Sequence, residues 1–142
     1  VLVMMAGSLT TLGFIPWLSS SIGSMLHGMS WFLVLAILIV FFFYSHYLFA
    51  SSTAHVTAMY SALLAVAISA HVPPMLAALL LGFFGNLNAS TTHYASGPAP
   101  VLFWSGYVPQ NKWWSLNLVL GVFYLVVWIG IGSLWIKVIG MW

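Results

Sequence analysis

The chain has 142 residues, 63% hydrophobic and 17% aromatic, with two Lys and no Arg, Asp or Glu. A soluble domain charges roughly a quarter of its residues to face water; the share here is 1%, so lipid is the only solvent this surface suits. The same composition excludes carboxylate acid–base pairs, a Ser-His-Asp triad and side-chain cages for Ca²⁺ or Mg²⁺. Zero Cys excludes disulfides and thiolate sites, and two Lys build no patch for nucleic acid.

In chain order, residues 1–7 read as the end of an apolar transmembrane helix. No basic n-region precedes it, so it is not a signal peptide. Val1 is not an initiator, which points to the C-terminal piece of a longer membrane protein. Residues 8–28 are only moderately apolar and are interrupted by Gly13, Pro16 and the Ser19-Ser20-Ser21 run. With Trp17 among them, they predict a helix lying in the interface plane. Trp31 to Ala50 is a 20-residue apolar run, long enough for about 30 Å of hydrocarbon at about 1.5 Å per residue. It stops at Ser51-Ser52-Thr53, and a second apolar run follows to Ala70 with no Gly, Pro or charge between them. The spacing predicts a re-entrant hairpin over residues 30–71 with its tip at 51–53.

Pro73 and Pro74 open the next helix in the position proline favours. Apolar from Pro74 to about Phe84, it breaks over Asn86 to Gly97 and resumes for a short piece to Val108, so residues 73–108 predict one broken span. Interrupted apolar segments of this kind are where transporters bind their cargo. A polar loop from Pro109 to Trp114 then leads to a final transmembrane helix over 114–137, with Trp113, Trp114, Trp135 and Trp142 forming aromatic belts at its ends. Lys112 and Lys137 bracket that helix evenly and give no orientation.

Both breaks precede helices, at Ser51-Ser52-Thr53 and at Ser96-Gly97-Pro98. Ser and Thr cap helix N-termini well, and such ends present unpaired N–H groups and about half a positive charge. Two ends aimed at one point in a chain without carboxylates make an anion site that needs no Arg.

Ser51-Ser52-Thr53, followed by the run from Ala95-Ser96-Gly97-Pro98-Ala99-Pro100 to Val108, resembles the C-terminal part of the divalent anion:sodium symporter family. The nearest branch comprises bacterial citrate and tartrate carriers and plastid 2-oxoglutarate/malate translocators. The resemblance covers essentially the whole chain. It implies an all-α integral membrane protein: the C-terminal inverted-repeat half of a secondary transporter, with an interfacial helix, a re-entrant hairpin and a broken transmembrane helix. It further implies a multi-pass protein of the bacterial inner membrane, a homodimer when full-length, and a di- or tricarboxylate as substrate. Ser51, Ser52 and Thr53 match the first substrate motif, and Ser96, Gly97 and Pro98 the second. Ser52 stands where sodium-coupled members carry Asn, and Gly97-Pro98-Ala99 where theirs reads Pro-Pro-Asn. These departures at sodium-site positions argue against sodium coupling and for obligate exchange of one anion for another, with sodium symport as the alternative.

His93 and His46, as intramembrane ionisable residues, are candidate charge partners for a dianion. His27 and His71 read as interface residues, and Asn86 and Asn88 as hydrogen-bonding glue between helices. Histidines on separate spans also admit a haem- or quinone-binding subunit, although haem needs no broken helices. No metal site, no cofactor and no enzymatic nucleophile–base pair is expected.

Overall fold

In the computed structural model the described residues are 8, 11–13, 16–17, 20–21, 24 and 28–141. The helix end expected over 1–7 and His27 lie outside them, as does much of the expected interfacial helix. Within that helix, Pro16, Trp17, Ser20, Ser21 and Ser24 are helical, and the Ser20 and Ser21 hydroxyls donate to the Trp17 carbonyl.

From residue 28 onward the described residues form helices joined by turns, with no strand among them. Helix α1 (Trp31–Ser45) runs into a 3₁₀ turn, His46–Leu48, and helix α2 (Ser52–Ser69) follows. Helix α3 (Pro74–Leu87) ends in a second 3₁₀ turn, Asn88–Ser90, and helix α4 (Pro98–Trp104) comes after an irregular stretch. Helix α5 (Gln110–Val126) passes through a π-helical turn, Val127–Gly132, into α6 (Ser133–Val138). Trp31–Leu48 and Ser52–Ser69, at 18 residues each, and Gln110–Val138, at 29, are long and apolar enough to cross a membrane. The chain is an all-α integral membrane protein.

The core lies where α1, α2 and α3 meet. Leu35, Leu38, Ile39 and Phe42 of α1 are fully buried against Ala67 of α2 and Leu76, Leu80 and Phe84 of α3. Phe43 meets Phe84 edge to face at 5.7 Å. Two glycines set the closest approaches: a Cβ on Gly85 of α3 would lie 2.9 Å from Val56 Cγ2, and one on Gly121 of α5 would lie 2.6 Å from Phe43 Cε1. Helices meet this closely only where a side chain is missing.

The turn from α2 to α3 is a Schellman motif. Val72 N–H donates to Ala67 O and His71 N–H to Ile68 O, while His71 occupies the left-handed region at φ 61°. Glycine usually takes that position. His71, expected at the interface from its place at a segment end, closes a helix. Pro73 then caps α3 and Pro74 fills its first position.

The last helix starts four residues earlier than the sequence reading placed it, at Gln110 instead of 114. Pro109, with φ −69° and ψ 152°, breaks the chain just before it, so Gln110, Asn111 and Lys112 form an exposed first helical turn. The π turn was likewise unexpected. Gly130 and Gly132 lie within it, and the Ser133 hydroxyl donates to the Trp128 carbonyl five residues back.

Candidate functional site

The two breaks meet. Ser52 donates twice to the carbonyl of Ala95, from its backbone N–H at 3.2 Å and from Oγ at 2.6 Å, joining segments 43 residues apart. Beside this joint lies a cavity of about 450 Å³ whose wall is made by 51–53, 94–97, Asn86 and Ala89. Ser51, Ser52, Thr53, Ser96 and Gly97 therefore share one cavity. Pro98 does not line it and faces a larger neighbouring cavity of about 620 Å³ walled mostly by apolar side chains such as Leu102, Trp113 and Leu116.

The local structure explains what each group can offer. Ser51 is the N-cap of α2 with an extended backbone (φ −157°, ψ 137°), and its hydroxyl makes no capping bond. His55 N–H makes the first bond back, to Ser51 O, so the Thr53 and Ala54 N–H groups before it have no intrahelical acceptor. Ser52, expected among the substrate-motif residues, donates its hydroxyl proton to Ala95 and ties the two motifs together. Donors left for a ligand are the hydroxyls of Ser51, Thr53 and Ser96, none of which has a hydrogen-bonded acceptor among the described residues.

The two helix ends are unequal. Helix α2 has 18 residues and points its positive end at the cavity. Helix α4 has seven, and Pro98 and Pro100 remove two of its first three N–H groups. The favourable potential at this cavity thus comes from α2, and the second break supplies Ser96 and the approach of its Gly97 backbone.

Neither candidate charge partner reaches the cavity. His93 lies half-buried on the far side of the break, stacked on Phe103 at 4.4 Å, with Trp114 Nε1–H donating to its Nδ1 at 3.2 Å. An indole N–H can only donate, so this Nδ1 offers a lone pair and carries no proton here. His46 is fully buried under the tip, edge-on to His55 at 5.3 Å, and neither ring nitrogen has a partner among the described residues. Neither imidazole is among the residues that line this cavity: His93 packs on Phe103 and Tyr94, and His46 sits edge-on to His55.

His55 anchors the tip. Ser45 Oγ donates to Phe42 O at 2.9 Å, so the 2.9 Å contact from His55 Nε2 to Ser45 Oγ has the imidazole as donor. Its Nδ1 is then left to accept from Asn88 Nδ2 at 3.3 Å. Asn88 is fully buried and bonds α3's end to α2, the packing role expected for it. Asn86, given the same expectation, is exposed on the cavity wall. Two positions along a helix turn the side chain through about 200°, enough to separate them.

Among known proteins, the sodium:sulfate symporter transmembrane region matches residues 1–142. The chain is 54% identical over 141 residues to YflS of Bacillus subtilis (strain 168), covering 99% of this chain and 30% of that protein. It is 42% identical over 143 residues to dicarboxylate transporter 1, chloroplastic, of Spinacia oleracea, covering 99% and 25%. It is 34% identical over 139 residues to the L-tartrate/succinate antiporter of Escherichia coli (strain K12), covering 97% and 28%. The chain thus spans between a quarter and a third of the length of these curated relatives. Apolar helices, two interrupted segments tied at their tips and a match along the full chain agree, and the chain belongs to the divalent anion:sodium symporter family.

Proposed function

We propose that the protein containing this chain is a secondary transporter that exchanges small di- or tricarboxylates by alternating access, without sodium, and that it is not an enzyme. The observation that carries this reading is the Ser52–Ala95 joint beside a cavity rich in hydroxyls, in a chain without Asp or Glu. Ser51, Thr53 and Ser96 donate to the anion's carboxylates, and the α2 dipole offsets part of their charge. The described residues put no fixed cation in this wall, which keeps their hold on the anion weak enough for release on the far side. Relatives named as a dicarboxylate transporter and an L-tartrate/succinate antiporter support the substrate class and the exchange mode.

The joint also supports sodium independence. A cation at the second break would seek the Ala95 carbonyl, whose two lone pairs already accept from Ser52 N–H and Oγ–H. The hairpin 30–71 is read as re-entrant, with its tip at the mid-membrane cavity, within the C-terminal inverted-repeat half of the transporter. By family resemblance the complete protein is a homodimer in a bacterial inner membrane.

The test uses full-length protein in proteoliposomes. Labelled succinate, malate, tartrate, citrate and 2-oxoglutarate are offered with and without unlabelled anion inside. Exchange predicts uptake only into anion-loaded vesicles, unchanged when sodium is replaced by choline. Uptake into empty vesicles driven by a sodium gradient would establish symport instead.

A further inference from the structure

We propose that Asn86 contacts the substrate directly, its side-chain Nδ2–H donating to a carboxylate of the bound anion, and so helps to set affinity and specificity. The inference rests on the transport reading above and adds a residue to its site. Asn86 is in the last turn of α3, outside both motifs that point to the cavity from sequence. It borders the 450 Å³ cavity together with Ser51 and Ser96. It also lines the smaller, adjoining space of about 340 Å³ in which Ser52, Thr53 and Thr57 of α2 take part. Asn86 thus borders both spaces beside the α2 tip, and also two more apolar cavities of about 620 and 450 Å³.

Its chemistry is unspent. The Asn86 amide has no hydrogen bond among the described residues, whereas Asn88 two positions on is buried and bonded to His55. In a membrane an idle amide is costly unless it meets water or a ligand. Its position is held by the backbone. Gly85, the preceding residue, lets α3 approach α2 so closely that a Cβ there would sit 2.9 Å from Val56 Cγ2. That contact presses the last turn of α3 against the N-terminal half of α2 and presents residue 86 beside the tip. An amide suits the task because it is neutral, donates two N–H bonds and adds no charge that would either trap or repel a dianion.

The experiment measures counterflow by the full-length protein, as wild type and as Asn86→Ala, Asn86→Asp and Asn86→Gln, over a series of dicarboxylate concentrations. Loss of one hydrogen bond to a charged group predicts an increase of about tenfold in half-saturating concentration for Asn86→Ala. The maximal rate per reconstituted transporter should stay within about twofold, because the bond serves binding more than movement. Asn86→Asp has nearly the same shape but places a negative charge beside the anion, and it is expected to lose more than Asn86→Ala. Asn86→Gln should recover part of the loss. If Asn86→Ala cannot be reconstituted, the Asp and Gln variants carry the comparison, backed by the shift in melting temperature that succinate gives each detergent-solubilised protein. Half-saturation within twofold of wild type in Ala and Asp variants overturns the proposal while leaving the transport reading intact. So does failure of all three variants to assemble, which would make the residue structural. A wild type that exchanges none of the anions overturns the transport reading itself.

Discussion

At the residue scale, the proposed site separates into hydroxyls that have no acceptor among the described residues and one that fastens the two breaks. Thr53 is exposed at the tip of α2, and Ser96 lines the same cavity. On the proposed reading each hydroxyl donates one bond to the anion, and hydrogen bonds to charged groups are worth about 1.5–3 kcal/mol apiece. Replacing Thr53 by Val and Ser96 by Ala together is therefore expected to raise the half-saturating dicarboxylate concentration by at least about a hundredfold, measured by counterflow with the assembled protein intact. Unimpaired exchange would remove these hydroxyls from the site. The sequence discloses both positions, because a Ser/Thr run between apolar arms and a Gly-Pro break are local features. It does not disclose which hydroxyl is already spoken for. The Ser52–Ala95 bond spans 43 residues, and no local pattern carries it. Nor does residue type separate Asn86 from Asn88. Only the turn of α3 against α2 sends one to the cavity and the other inward to His55. His71 is a second case, in which a polar side chain near a helix end hides a backbone demand. A non-Gly residue held in the left-handed region costs about 1–2 kcal/mol. His71→Gly should accordingly raise thermal stability in detergent by about 1 kcal/mol after the glycine's own entropy loss is subtracted.

At the scale of elements, the junctions matter more than the helices. Apolar runs and the Pro73-Pro74 start are plain in the sequence because chain length across a bilayer and proline's missing N–H act locally. Which faces pack is not plain. In a water-soluble helix the polar face marks the outside, but lipid allows apolar residues on every face, so exposed Leu118, Val119 and Phe123 of α5 read the same as buried Leu125. What marks the inner face of α5 is Gly121, where the ring of Phe43 takes the space of a side chain. Gly121→Leu would force that ring aside and is expected to cost about 1–3 kcal/mol of stability. The loss should appear as a lower melting temperature in detergent, and substrate affinity should fall less than it does for Thr53→Val, because the contact lies between α1 and α5 and not at the tip. A Leu tolerated without change would mean that α5 does not dock on α1 as described.

For the whole molecule, the decisive property is the solvent it was composed for. Among the described residues, the outward side chains of α5, the π turn and α6 include Val119, Val126, Ile131, Leu134 and Trp135, each more than 60% exposed, and the only charged residues are Lys112 and Lys137 near the helix ends. Water would penalise that surface; hydrocarbon does not. The converse gives a graded test by depth. Val126 is 67% exposed and lies near the middle of the 29-residue stretch Gln110–Val138, where an Arg costs about 2.5–3.5 kcal/mol on insertion scales. Asn111 sits in the exposed first turn, where an Arg can remain in the headgroup region at little cost. Val126→Arg is thus expected to reduce the carbonate-resistant membrane fraction of the protein several-fold, while Asn111→Arg leaves it unchanged. Equal insertion of the two variants would mean that residue 126 borders water, and α5 would then line an aqueous path in place of facing lipid.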